Sequence, residues 1–166
     1  METLIGQPNL AIVKLGIPML DTIFSLCGNL AMLGWLGLVF LPGQRIVVEV
    51  IARIAIPLAI AALYVFLMVT HYAAAPAGAG FGSLDAVASL FSVRGLLLAG
   101  WIHYLAFDLF VGSWEVSDAR ANGIHHLFVV PCLFVTFMAG PAGLALYFIV
   151  KFAHRIFRAR PAEQAA

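Results

Sequence analysis

His103 and Asp108 are the residues of this chain that packing alone accounts for least. Both stand inside an otherwise apolar run, Gly100-Trp-Ile-His-Tyr-Leu-Ala-Phe-Asp-Leu-Phe-Val-Gly-Ser-Trp114. On a helix crossing about 30 Å of hydrocarbon they lie roughly 12 Å and 20 Å along it, deep in the membrane. An Asp at the centre of a span costs about 3 kcal/mol even on insertion scales, so such a residue points to function and to a place facing a bundle interior or polar cavity. A carboxyl group and an imidazole take and return protons, and proton transfer is the chemistry this pair implies. Five steps of about 100° set them about 140° apart, so they do not stack directly on one another. Asp108 shares a stripe with Trp101, Tyr104 and Leu105, whereas His103 shares one with Phe107, Phe110 and Trp114. The competing reading is structural, with both residues serving as interhelical hydrogen-bond glue.

Other stretches offer these two residues partners. Thr22, Ser25 and Asn29 fall at i, i+3 and i+7, a polar stripe placed to face Asp108 or His103, or simply to pack. Cys132, Thr136 and Gly140 form a small-residue seam at i, i+4 and i+8 that lets another helix approach closely. Gly140-Pro141-Ala142-Gly143 is expected to break or kink its helix, freeing carbonyls and shaping a cavity. His125 and His126 are adjacent, but His71, His103 and His154 are scattered, so neither a metal site nor a bis-histidine haem is singled out and no cofactor is expected. With no glycine-rich phosphate loop, nucleophile elbow or Cys-x-x-Cys, and no room for a separate nucleotide domain, dinucleotide redox chemistry is not expected.

The elements that must position these residues follow from composition. With 166 residues, 63% hydrophobic and 10% charged, and a mean hydropathy of +1.03, the chain needs lipid as its solvent. We read an all-α polytopic membrane protein, one domain over 1–166, with four spans at 22–41, 46–70, 95–114 and 127–150 in a compact bundle with short interfacial helices. Pro42-Gly43 ends the first span. Glu49 and Arg53 can pair on the opening turns of the second, and Pro57 kinks it or begins its embedded part. Asn9 to Leu20, and the Ser83-capped run to Phe91, are expected at the interface. Cys27 and Cys132, inside apolar runs, read as buried thiols, and Trp35, Tyr72 and Trp114 as belts near span ends.

A net charge of +1 leaves no basic field for nucleic acid, and Lys151, Arg155, Arg158 and Arg160 fit anionic headgroups. Four spans would put both termini and the middle connection on one side. That side collects Lys14, Arg94, Lys151, Arg155, Arg158 and Arg160, against Arg45, Arg53 and Arg120, so both termini are expected in the cytoplasm. No cleaved signal or transit peptide is evident, and the Ala-rich composition reads as a bacterial inner-membrane protein.

The segment Trp101-x-His103, with Asp108-Leu-Phe110 downstream, joins Pro131-Cys132 and Gly140-Pro-Ala-Gly143 in a pattern that resembles the abscisic-acid-deficient-four-like membrane family. The resemblance runs from Asn29 and Trp35 to the basic end. Plant members of that family are neoxanthin synthases. The resemblance implies a four-span protein and, in plants, conversion of violaxanthin to neoxanthin: an epoxide opens as a neighbouring carbon loses a proton, giving an allene and a tertiary alcohol. Such an isomerisation needs a base and an acid but no reductant. Under it, Asp108 and His103 fill those roles with Tyr104 or His126 as relays, and a polyene lies along Trp101, Phe107 and Phe110 beside Asn29. The other reading is a non-catalytic subunit that binds pigment or lipid or steadies a larger membrane complex. A small transporter or proton channel has less behind it, since only one acid was expected within the spans.

Overall fold

The computed structural model describes residues 10–163, with side chains from 18 to 158. Its first helix, α1 (Leu10–Phe40), runs unbroken past Pro18. The stretch expected as a separate interfacial piece is therefore the opening of α1, with Asn9 and the residues before it, the beginning of the stretch read for a leader, outside the described residues. α1 stops at Phe40, just before Pro42-Gly43, as the sequence predicts.

The chain re-enters a helix at Ile46–Ala55, which is wound as a π-helix and passes directly into α2 (Ile56–His71). Pro57 gives a physical reason: it has no N–H for the carbonyl four residues back and its ring crowds that carbonyl, which favours a wider winding upstream. The Ile56 N–H accordingly donates to the Ile51 carbonyl, five residues back. Glu49 and Arg53, expected to pair with each other, turn instead to the later helix α4 (Arg94–Ala121). There Arg120 donates to Glu49 at 3.2 Å, while Arg53 donates to the Ser113 hydroxyl at 3.2 Å and its carbonyl at 2.8 Å. Partners held on a rigid helix replaced a flexible local pair. Between α2 and α4 lies α3 (Leu84–Phe91), capped as expected by Ser83, whose hydroxyl accepts from the Ala86 N–H at 3.1 Å.

Three stretches, Pro18–Phe40, Ile46–Ala74 and Arg94–Ala121, are long and apolar enough to cross a membrane. The fourth expected span, 127–150, is not one helix. It is α5 (His126–Ala139) and α6 (Pro141–Glu163), joined at Gly140, whose φ of 20° and ψ of −85° lie outside helical geometry. The break expected there becomes a reversal. α5 runs from His126, which donates from Nε2 to the Val39 carbonyl at 3.0 Å, to Phe137, whose carbonyl accepts from the Tyr104 hydroxyl at 2.8 Å. α6 then travels back: Tyr147 and Lys151 meet Asp118 of α4, and Arg158 lies beside Gly123. Pro141 needs no N–H partner in a first turn, and at Gly143 a Cβ would strike Thr136, so the two helices close only with glycine there.

The described chain begins and ends at opposite ends of α4, whereas the sequence predicts both termini on one side. Asp21 near the start of α1 pairs with Arg94 at the start of α4, at 2.7 Å, whereas α6 ends beside the end of α4. The middle of the core is α4, whose Leu98, Ala99, Ile102, Leu105 and Leu109 are buried among α1, α2 and α5. Gly112 admits the Trp35 ring, which a Cβ would meet at 2.7 Å. Trp35 is thus a core residue, only 5% exposed, rather than a belt residue. Cys27 and Cys132 are free and buried, as expected.

Candidate functional site

One stripe of α4 carries Leu97, Trp101, Tyr104 and Asp108, because steps of four, three and four residues return to nearly the same bearing. The α5–α6 hairpin covers the half of this stripe that follows Asp108 and leaves the preceding half open. Leu97 is 54% exposed and Trp101 44%. Trp101 lies between two rings, with centroids 5.7 Å from Phe24 of α1 and 5.6 Å from Tyr104. A groove of about 390 Å³ starts at the Asp21–Arg94 ion pair and runs past Leu20, Phe24 and Leu97 to Trp101.

Asp108 sits where the open half ends, against the tip of the hairpin. A Cβ added to Gly140 would lie 2.6 Å from Asp108 Oδ1, so the carboxyl group rests on the Gly140 backbone. Oδ2 is buried without a hydrogen-bond partner. Tyr104 lies beside Asp108, with its hydroxyl anchored on the last turn of α5 through Phe137. The arrangement puts a carboxyl group and a phenol at the end of an aromatic track, about half way along α4.

The other expected site residues lie elsewhere. His103 is exposed on another face, 4.5 Å from the Phe107 ring and 5.6 Å from that of Tyr64. Phe107 and Phe110 line a second groove of about 390 Å³, between α4 and α2, with Arg53, Pro57 and Leu58. The polyene-lining set is therefore divided: Trp101 belongs with Asp108, Phe107 and Phe110 with His103. His126 stands at the opposite end of α5 from Gly140, roughly 20 Å away by helical rise. Asn29 is exposed on α1, and Thr22 and Ser25 bond their own helix at the Pro18 and Asp21 carbonyls. The α1 stripe does not turn toward Asp108, because Cys27, Ala31, Trp35 and Leu38 take that face. Among the described residues, no three of His, Cys, Asp and Glu gather as metal ligands.

Residues 22–147 match the ABA4-like (ABA DEFICIENT 4-like) family. The chain belongs to that family. The matched stretch takes in the groove lining from Phe24 to Trp101, though not Leu20 and Asp21, together with Tyr104, Asp108, the hairpin tip and both histidine positions, 103 and 126. No curated protein and no solved structure matches the chain.

Within this ABA4-like fold, two acidic positions were not foreseen. Glu115 is fully buried under the hairpin and its Oε1 accepts from the Thr136 hydroxyl at 2.9 Å. Asp118 accepts from the Tyr147 hydroxyl at 2.6 Å and from Lys151 at 2.6 and 2.8 Å. Placing the end of the span at Trp114 made both look like flanking charge. The available signal was their bearing, since Glu115 follows Asp108 by seven residues, two helical turns, on the same stripe.

Proposed function

We propose that this ABA4-like chain is an integral membrane enzyme that isomerises a carotenoid or related isoprenoid by proton transfer at Asp108 and Tyr104. One observation carries the reading: an intramembrane carboxyl group stands at a hairpin tip, at the closed end of an aromatic track otherwise open to lipid. A long polyene would enter along Leu97 and Trp101, with a hydroxylated end group near Asp21 and Arg94 at the polar mouth of the groove.

In the proposed step Asp108 takes the proton from the carbon next to an epoxide. The electron pair of that C–H bond forms the new double bond as the epoxide C–O bond breaks. Tyr104 protonates the departing oxygen, and protonated Asp108 then returns a proton to the phenolate. Product and substrate have the same composition, and no reductant is consumed.

The basic end of the molecule, with Arg45, Arg120, Lys151, Arg155 and Arg158, is proposed to face the cytoplasm and the Asp21–Arg94 end the opposite side. The finer count then becomes three crossings and a hairpin that enters and leaves from the cytoplasmic side.

The test is expression in a host that accumulates epoxy-carotenoids, beside Asp108→Asn. A new carotenoid that disappears in the variant, with both proteins inserted at equal levels, is expected. An unchanged profile with the original chain would favour the second reading, a non-catalytic pigment- or lipid-binding subunit. The α2–α4 groove lends that reading support, as it is almost wholly apolar and lies on the face away from Asp108.

A further inference from the structure

Glu115 has a place that the proposed reaction does not use. It is fully buried, and although Oε1 accepts from Thr136, Oε2 has no partner. Among the described residues, the groups that surround it include no free cation. From α5 come Cys132 and Thr136, from α6 Tyr147, and from α4 Asp108 and Asp118. Lys151 gives its ammonium group to both Asp118 oxygens, and the charge of Arg155 also bears on Asp118. A carboxylate with a bare oxygen and no counter-ion is among the most costly groups to bury, and it becomes tolerable when a proton neutralises it.

Asp108 is the other carboxyl group on this stripe of α4 with a bare oxygen, and its charge bears on Glu115. The two are two turns apart on α4, about 10 Å of rise, and the hairpin residues they meet, Thr136 and Gly140, are four apart in sequence. Each carboxyl group keeps one bare oxygen, Oδ2 and Oε2. Two such groups in apolar surroundings resist ionising together. Their settings differ: Glu115 is sealed under the hairpin, whereas Asp108 is half-buried beside Tyr104 where the open half of the stripe ends.

We propose that Glu115, held by Thr136, is a proton-binding site that carries the single proton of an Asp108–Glu115 pair, leaving Asp108 ionised. Its role in catalysis rests on the reading of Asp108 as the base; its occupancy by a proton does not. Glu115 is a positioning residue in this scheme, acting through Asp108.

The experiment is infrared difference spectroscopy of the full chain in lipid, titrated with pH and read at the carbonyl stretch of a neutral carboxylic acid. A band at neutral pH that is absent in Glu115→Gln and present in Asp108→Asn is expected. Its titration midpoint should fall by about one pH unit or more in Asp108→Asn, the coupling of an interacting pair. No such band in the original chain, or a midpoint that Asp108→Asn does not move, overturns the proposal. Should either variant fail to fold, carbon-13 NMR of glutamate- and aspartate-labelled original chain reads the same states: one neutral Glu and coupled two-step titration support it, and independent titration of ionised groups overturns it. A neutral Glu115 in a chain that leaves carotenoids unchanged would reject the enzyme reading alone.

Discussion

The two faces of α4 at mid-length make an instructive pair. Each carries one polar residue at similar depth, each is flanked by aromatic rings, and each borders a groove of about 390 Å³. Yet the Asp108 face receives a helix tip, a backbone surface at Gly140 and a phenol fixed by Phe137, while the His103 face receives only the rings of Tyr64 and Phe107. Position along α4 is similar; the groups that would hold a reacting geometry stand on the Asp108 face. An imidazole among rings is tolerated at a helix surface, whereas a carboxyl group at that depth requires something built around it. The hairpin is what the chain has built.

The sharpest way to break this contrast is Asp108→Asn, which keeps the shape and removes the base. Turnover is expected to fall by about 10²–10⁴, the usual share of general base catalysis, measured by product formation at equal membrane insertion. Gly140→Ala attacks the same face from the other element. Its methyl group would overlap Asp108 and strain a backbone at φ 20°, so a loss of about 1–3 kcal/mol in unfolding experiments is expected together with reduced turnover. Farther along the hairpin, Lys151→Ala leaves Asp118 with Tyr147 alone. A loss of about 1–3 kcal/mol, seen as a lower melting temperature with little change in product ratio, would place that contact in the support of the hairpin. On the opposite face His103→Phe adds a ring to a row of rings, and a change within about 0.5 kcal/mol with turnover retained is expected.

The helices were legible because length and apolarity follow from the thickness of hydrocarbon. So were the stop at Pro42-Gly43, the Ser83 cap, the shared stripe of Trp101, Tyr104 and Asp108, and the break at Gly140. The direction of the chain after that break was not. A run of 24 apolar residues, 127–150, has the same composition whether it crosses or turns back. What decides is a missing side chain at Gly143 and an attraction between Asp118 and Lys151, 33 positions apart. Glu115 was hidden for a related reason: its burial depends on a hairpin that no local pattern announces. Asp108 and His103 face apart, as their bearing of about 140° in the sequence implies, and His126 stands at the far end of α5.

The most direct test of the account is conversion of a carotenoid epoxide by the purified chain in lipid nanodiscs, comparing the original sequence, Asp108→Asn and His103→Phe by chromatography and mass spectrometry. The account predicts an isomer of unchanged mass from the original chain and from His103→Phe, and none from Asp108→Asn. Conversion that survives Asp108→Asn, or that is lost only with His103→Phe, would contradict it.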